Sequence, residues 1–232
     1  MSTTLTVKPA KTDELPTAKL PTTAPTSPVG EQRILLRNIS WEAYETLLES
    51  DPERINPRLT YDRGTLELMS PLIRHEETNR KLHAIVETIL NTWEADYRNL
   101  GSATFRRQDS EQGFEPDTCF YIQNLKQIGD RETVDLSDGD PPPDLVIEID
   151  LYHSSLPKLP LFATFAIPEV WLYRGESVTI YLLEKDTYTE STHSQALPTL
   201  TVTDLNHFLQ ESRTPRPQWL RNLRQWAEQN QP

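Results

Sequence analysis

The stretch that most constrains this chain is Asp144-Leu-Val-Ile-Glu-Ile-Asp150, which follows three prolines. In an extended segment side chains alternate. Asp144, Val146, Glu148 and Asp150 therefore share one face, and Leu145, Ile147, Ile149 and Leu151 share the other. Apolar residues on both faces mark a central strand covered on each side. Such a strand requires helices or a second layer packed against its sheet. It also places Glu148 in mid-strand among apolar neighbours. A buried, unpaired carboxylate is costly, so Glu148 must be paired, protonated or bound to metal.

The remaining periodicities supply the covering layers. Ser40 has the character of an N-cap, followed by Trp41, Tyr44, Leu47 and Leu48 at helical spacing. Two short extended runs flank Asp62-Arg63-Gly64, which predicts a hairpin with Gly64 at positive φ. Leu82, Ile85, Val86, Ile89, Leu90, Trp93 and Tyr97 recur at steps of three and four. They predict a long helix from about His75 to Tyr97. Strands are expected at 103–107 and 117–122, with the turn-rich SEQGFEP between them. A polar loop follows over 123–143, then the strand 144–150. Beyond it come a helix from about Ser155 to Phe165, a strand–turn–strand over 168–184, a short strand near Tyr188, and helices near 204–210 and 217–228. This order predicts an α/β or α+β architecture, a mixed sheet flanked by helices. Residues 1–30 are dominated by Thr and Pro and contain no aromatic, so they are expected to form a disordered tail. The domain is expected over 31–212, with 213–232 as a C-terminal helical extension.

Composition excludes several classes. With one cysteine in 232 residues, a disulfide framework and a Cys-based zinc module are ruled out. No run approaches the roughly 18–20 apolar residues that span a bilayer, and the first residues lack an apolar signal core. A cytoplasmic protein with no membrane partner is the expectation. There is no G-x-x-x-x-G-K-[ST] and no G-x-G-x-x-G, and seven glycines leave little room for a phosphate-cradling loop. Ser154 and Ser155 lie beside His153, but no G-x-S-x-G elbow accompanies them. With 23 Lys and Arg against 35 Asp and Glu, the net charge is −12. That argues against a broad basic face for duplex, since phosphate neutralisation supplies most of such a protein's affinity. Contact with nucleic acid would have to run through a local patch or a bound metal ion.

Asp117 opens a strand just after Pro116 and shares its face with Cys119 and Tyr121. If that strand neighbours 144–150, Asp117 and Glu148 approach each other. Two carboxylates, a backbone carbonyl and water make an oxygen-rich site suited to Mg²⁺ or Mn²⁺. Lys158, ten residues after Glu148, is placed to stabilise a phosphoryl transition state or orient the attacking water. Each residue also has a plainer explanation. Asp117 could cap a turn. Glu148 could pair with Arg106 or Arg107. Lys158 could be solvated, and His75 could meet a hairpin carbonyl. Asp144 is read as defining the start of its strand, and Cys119 as a small buried hydrophobe.

The Pro-Asp at a strand start, with an acidic strand some thirty residues on, resembles the PD-(D/E)XK nuclease superfamily. More narrowly, YDRGTLELMSP (61–71), His75-Glu76, FEPDTCFYIQN (114–124), PDLVIEID (143–150) and HSSLPKLPLFATFAIPEVWLY (153–173) resemble the Uma-type family of "putative restriction endonucleases". The resemblance spans about residues 33–210. It implies a restriction-endonuclease-like fold, a mixed central sheet flanked by helices. It also implies a Mg²⁺- or Mn²⁺-dependent endonuclease acting on phosphodiesters, with DNA as the first candidate substrate. Carried over, Asp117 and Glu148 are catalytic metal ligands, and the Ile149 carbonyl is the third. The strict pattern has Lys where this chain has Asp150, and Lys158 in the next helix takes that role. Glu67, His75 and Glu76 fall in matching stretches and would add or orient a ligand. Arg74, Arg80, Lys81, Arg106 and Arg107 are candidates for phosphate contacts. Cutting both strands of a duplex would call for a homodimer. The alternative is a catalytically inactive member of the fold, acting as a binding or assembly module, which the acidic charge and Asp150 favour.

Overall fold

The computed structural model describes residues 32–51, 54, 56–152 and 156–232. The tail expected over residues 1–30 lies outside them, as do His153, Ser154 and Ser155. Along the chain come β1 (Gln32–Arg37), α1 (Trp41–Ser50), β2 (Arg58–Asp62), β3 (Thr65–Ser70), α2 (Ile73–Thr92), β4 (Arg98–Asn99), β5 (Phe105–Arg107) and β6 (Gln112–Phe114). Then follow β7 (Thr118–Tyr121), α3 (Leu125–Ile128), β8 (Leu145–Ile149), α4 (Lys158–Thr164), β9 (Glu169–Arg174), β10 (Ser177–Glu184), β11 (Thr187–Ser191), α5 (Val202–Glu211) and α6 (Arg216–Gln229). No helix among the described residues is long and apolar enough to cross a membrane.

The strands divide between two sheets. One is antiparallel throughout, in the order β1-β3-β2-β6-β5. The other runs β11-β10-β9-β8-β7-β4 and is mixed, because β8 and β9 are parallel. Parallel neighbours need a crossover, and the segment carrying α4 supplies it. The predicted α/β class holds, with its mixed sheet accompanied by a second, antiparallel sheet built on the hairpin.

β8 is buried along its whole length, as its two-faced apolar pattern demands. Leu145, Ile147 and Ile149 pack with Trp171 against Leu82, Ile85, Val86 and Ile89 of α2. Leu205 and Phe208 of α5 and Trp219 and Leu223 of α6 complete this core, so the C-terminal helix is part of it. On the opposite face, Cys119, Val146 and Val170 meet Leu161 and Phe162 of α4 and Phe105 and Phe114 of the antiparallel sheet. The face that bears Glu148 is thus the one where the two sheets meet.

Local chemistry explains most element ends. Ser40 accepts a bond from the Ala43 N–H as the cap of α1, and Thr201 with Asp204 forms a capping box on α5. The β2–β3 turn has both Arg63 and Gly64 at positive φ, as a two-residue turn with the right twist requires. The long helix stops at Thr92, five residues before Tyr97. Glu94 adopts φ 56°, while its N–H bonds the Asn91 carbonyl and the Ala95 N–H bonds that of Leu90. This is a Schellman closure with Glu in the place usually held by Gly. β6 runs through the segment expected to be only a turn-rich connection, and β1 and β4 are further strands the periodicity did not mark.

Candidate active site

The register of β7 and β8 decides where the acidic residues stand. Thr118 faces Ile147 and Cys119 faces Val146 in an antiparallel ladder. One step further, Asp117 therefore lies opposite Glu148, on the same face. Both are buried, at 3 % and 2 % exposure, although 31 positions separate them in the chain.

Each carboxylate has its own set of partners. Asp117 Oδ2 accepts the Ile149 N–H at 2.7 Å, and His75 Nε2 lies 3.1 Å from the same oxygen. The Arg58 guanidinium donates to Oδ1 and, through its other arm, to Glu76 at 2.8 Å. Asn79 donates to the Asp117 carbonyl at 3.0 Å, fixing the strand start against α2. Glu148 Oε2 accepts from Lys158 Nζ at 2.6 Å. Its Oε1 is buried and has no hydrogen-bond partner among the described residues. Asp150 lies beside Arg174, whose Nε is 3.1 Å from Oδ2. Glu67 accepts from Arg33 at 2.8 Å.

These surroundings push the two carboxyls apart. Burial works to raise Asp117, but the His75 bond and the charges of Arg58, His75 and Lys158 outweigh it and hold the group at about 2. Burial drives Glu148 up to about 7; the Asp117 charge pushes the same way and Lys158 opposes both. Burial works to lower Lys158, yet Glu148 and Asp117 together raise it, so the ammonium persists. One carboxylate stays ionised while the other shares a proton-rich contact with a lysine. Separated acid strengths of this kind are common where acid–base or metal chemistry is done.

A family model described as "Uma2: Putative restriction endonuclease" matches residues 41–211. The chain belongs to the Uma2 family. A crystal structure described as a putative nuclease belonging to DUF820, from Anabaena variabilis, is similar to it at 15 % identity. That likeness covers 70 % of this chain and 98 % of the other, with a TM-score of 0.46. No curated protein matches.

In this Uma2-family chain the three residues expected to act together are adjacent. Asp117, Glu148 and Lys158 form one continuous cluster, and the plainer partners proposed for them lie elsewhere. Arg106 pairs with Glu45 and Arg107 with Asp109. The Lys158 side chain is only 13 % exposed, so it is not a solvated surface lysine. His75 meets Asp117. Asp144 accepts the Ile122 and Asn124 N–H groups at 2.7 and 2.9 Å, which holds the chain at the start of β8. Of the expected phosphate contacts, Arg74 reaches Glu176, Arg106 pairs with Glu45 and Arg107 with Asp109. Among the described residues, the Arg and Lys side chains at the cluster are Arg58, Lys158, Arg33 and Arg174. Arg58 belongs to the hairpin strand β2; a buried guanidinium whose acidic partner is 59 residues later has no local signature.

Both Asp117 oxygens already accept bonds from the chain, from Arg58 and from the Ile149 N–H. No group of three or more His, Cys, Asp or Glu side chains among the described residues could hold a metal ion. An ion here would rely on two carboxylates, backbone oxygen and water, which suits Mg²⁺ or Mn²⁺ rather than zinc. The buried Glu148 Oε1 supplies one open lone pair. The Ile149 N–H already points to Asp117, and a strand residue turns its N–H and C=O toward the same side. The Ile149 carbonyl is therefore on that side too.

Proposed function

We propose that this chain is a divalent-cation-dependent nuclease that hydrolyses phosphodiester bonds, with DNA as its first candidate substrate and the cytoplasm as its compartment. Family membership supports the nuclease class. The observation that carries the chemistry is the placement of Asp117 opposite Glu148 with Lys158 on the latter.

In this reading Asp117, Glu148 and the Ile149 carbonyl would hold Mg²⁺ or Mn²⁺. Such an ion, when bound, polarises a phosphoryl oxygen and makes water a better nucleophile. The protein's own groups do the rest. Arg58, His75 and the Ile149 N–H keep Asp117 ionised and in one orientation. Lys158 remains an ammonium, so its role is to offset negative charge growing on the phosphoryl oxygens rather than to abstract a proton. Duplex cutting would pair two copies as a homodimer, which sedimentation with and without DNA tests. Asp117→Ala and Glu148→Ala should each abolish Mg²⁺-dependent cleavage while the fold survives by circular dichroism. Undiminished cleavage in both variants defeats the assignment.

One observation favours a second reading. Both acidic residues already face cations of the chain, Arg58 and Lys158, and Asp150 stands where the strict nuclease pattern has lysine. A non-catalytic binding or assembly module would look the same. It predicts no divalent-cation response at Glu148.

A further inference from the structure

A void of about 480 Å³ opens directly beside Glu148 and Lys158. It falls within the ~300–1,000 Å³ common for small-molecule sites. Its walls are mostly hydrocarbon: Leu156, Pro157, Leu159, Pro160, Leu172 and the ring of Tyr181. Leu172 is the β9 neighbour of Glu148 in register, and Tyr181 is the β10 neighbour of Val170. The void is therefore floored by the same sheet face that presents the acidic residue. Tyr181 is half-buried, and its hydroxyl reaches outward to Glu190 at 3.4 Å. Its ring is left to form a wall.

Among the described residues, the charges around this void are matched in pairs. Arg33 meets Glu67, Lys158 meets Glu148, and Arg174 meets Asp150. Three cations against three carboxylates give little net attraction for a polyanion. The chain as a whole carries −12. Backbone phosphates alone are a poor source of affinity here. What the void offers is an apolar slot with the Tyr181 ring as a wall, Phe162 also in its lining, and polar groups at its edge. That suits a flat heteroaromatic ring far better than a second phosphate or a paired helix.

Building on the nuclease reading above, we propose that this void receives an unpaired nucleobase of the strand being cut. The preferred substrate class is then single-stranded or locally unpaired nucleic acid. A base seated against Tyr181 and the Leu–Pro wall brings its own phosphodiester to Glu148 and Lys158. A duplex must first give up a stacked base to do so, and a single strand need not.

The test uses the full chain and a short DNA strand carrying one 2-aminopurine, in chelator and in Ca²⁺. The comparisons are the same strand annealed into duplex and the same strand with an abasic site at that position. The single strand should bind at least about tenfold more tightly than duplex, and loss of the base should cost about tenfold. Tyr181→Ala should show the same loss, and Tyr181→Phe should behave as the unmodified protein. Matching RNA probes separate the two sugar classes, and base-dependent binding in either supports the site. Equal affinity for the abasic strand overturns it, as does a folded Tyr181→Ala that binds like the parent. If Tyr181→Ala does not fold, the abasic comparison on the unmodified protein still decides. Mg²⁺-dependent cutting with no abasic penalty removes the base site and leaves the nuclease reading. A full abasic penalty without any cutting keeps the base site and removes hydrolysis.

Discussion

Lys158 and Glu148 form an ion pair of 2.6 Å whose side chains are 13 % and 3 % exposed. The contact joins the first residue of α4 to the middle of β8. Removing the cation leaves a buried carboxyl that must take up a proton beside ionised Asp117 and that loses the hydrogen bond it accepts from Lys158. Lys158→Met is expected to destabilise the fold by about 3–5 kcal/mol, the usual cost of breaking a buried pair from one side. The double variant Lys158→Met with Glu148→Leu should regain much of that, because an apolar pair needs no desolvation. Urea unfolding of the parent, both single variants and the double variant measures the coupling. Additive losses would show that the two side chains do not depend on each other.

A divalent cation should act on the fold through the same acidic pair. Ligands that bind only the native state raise its stability by mass action. Mn²⁺ or Mg²⁺ is expected to raise the melting temperature of the parent protein. The rise should vanish in Glu148→Ala and in Asp117→Asn. The expected gain is about 2.7 kcal/mol at a hundredfold excess over Kd. A flat titration of the parent points to the non-catalytic module instead.

Much of this was legible from residue order alone. The two-faced pattern of 144–150 gave a buried strand and, within it, a carboxylate needing a partner. What it could not give was the identity of the partners. Arg58, Arg33 and Arg174 reach the cluster from β2, β1 and β9, and each is an ordinary arginine in its own segment. Long-range pairing depends on sheet order, which periodicity does not encode. β6 was hidden for a similar reason. Its three residues are too few for alternation to register, and two neighbours in the sheet, β2 and β5, hold it. The early stop of α2 was hidden because Glu94 closes it, where a glycine would have announced the end.

Cys119 offers a readout of the face beneath the site. It is fully buried in β7, and burial pushes its thiol up to about 12 despite the nearby Leu100 N–H. An unfolded thiol titrates near 8.5. Between those values the native state keeps a proton that the unfolded state has lost. Stability therefore falls as pH rises through this window, by up to about 1.4 kcal/mol per unit from this group, and is unaffected by it at lower pH. Native protein at pH 8 should leave an aromatic disulfide reagent unreacted, and denatured protein should release one equivalent. Cys119→Ala should flatten the alkaline decline by one proton's slope. Rapid native labelling would mean that β7 opens to solvent.

The last prediction concerns how the antiparallel sheet closes over α1. Gly113 lies in the middle of β6, between Tyr61 of β2 and Arg106 of β5. A Cβ placed there would collide with the Tyr44 hydroxyl and lie 2.9 Å from Tyr44 Cζ. Tyr44 has little room to retreat, since its ring stacks on Tyr61 at 4.8 Å with the planes 10° apart. Gly113→Ala should therefore cost about 1–3 kcal/mol, as overpacking does, even though alanine loses less chain entropy than glycine on folding. The Tyr44 hydroxyl is buried with no hydrogen-bond partner among the described residues. Tyr44→Phe alone should then be close to neutral, because no bond is lost. It should also relieve the nearest clash, so the double variant should be more stable than Gly113→Ala by itself. Chemical denaturation of the three variants reads this directly. If Tyr44→Phe gives no rescue, the strain in Gly113→Ala arises from the β6 backbone rather than from the tyrosine above it.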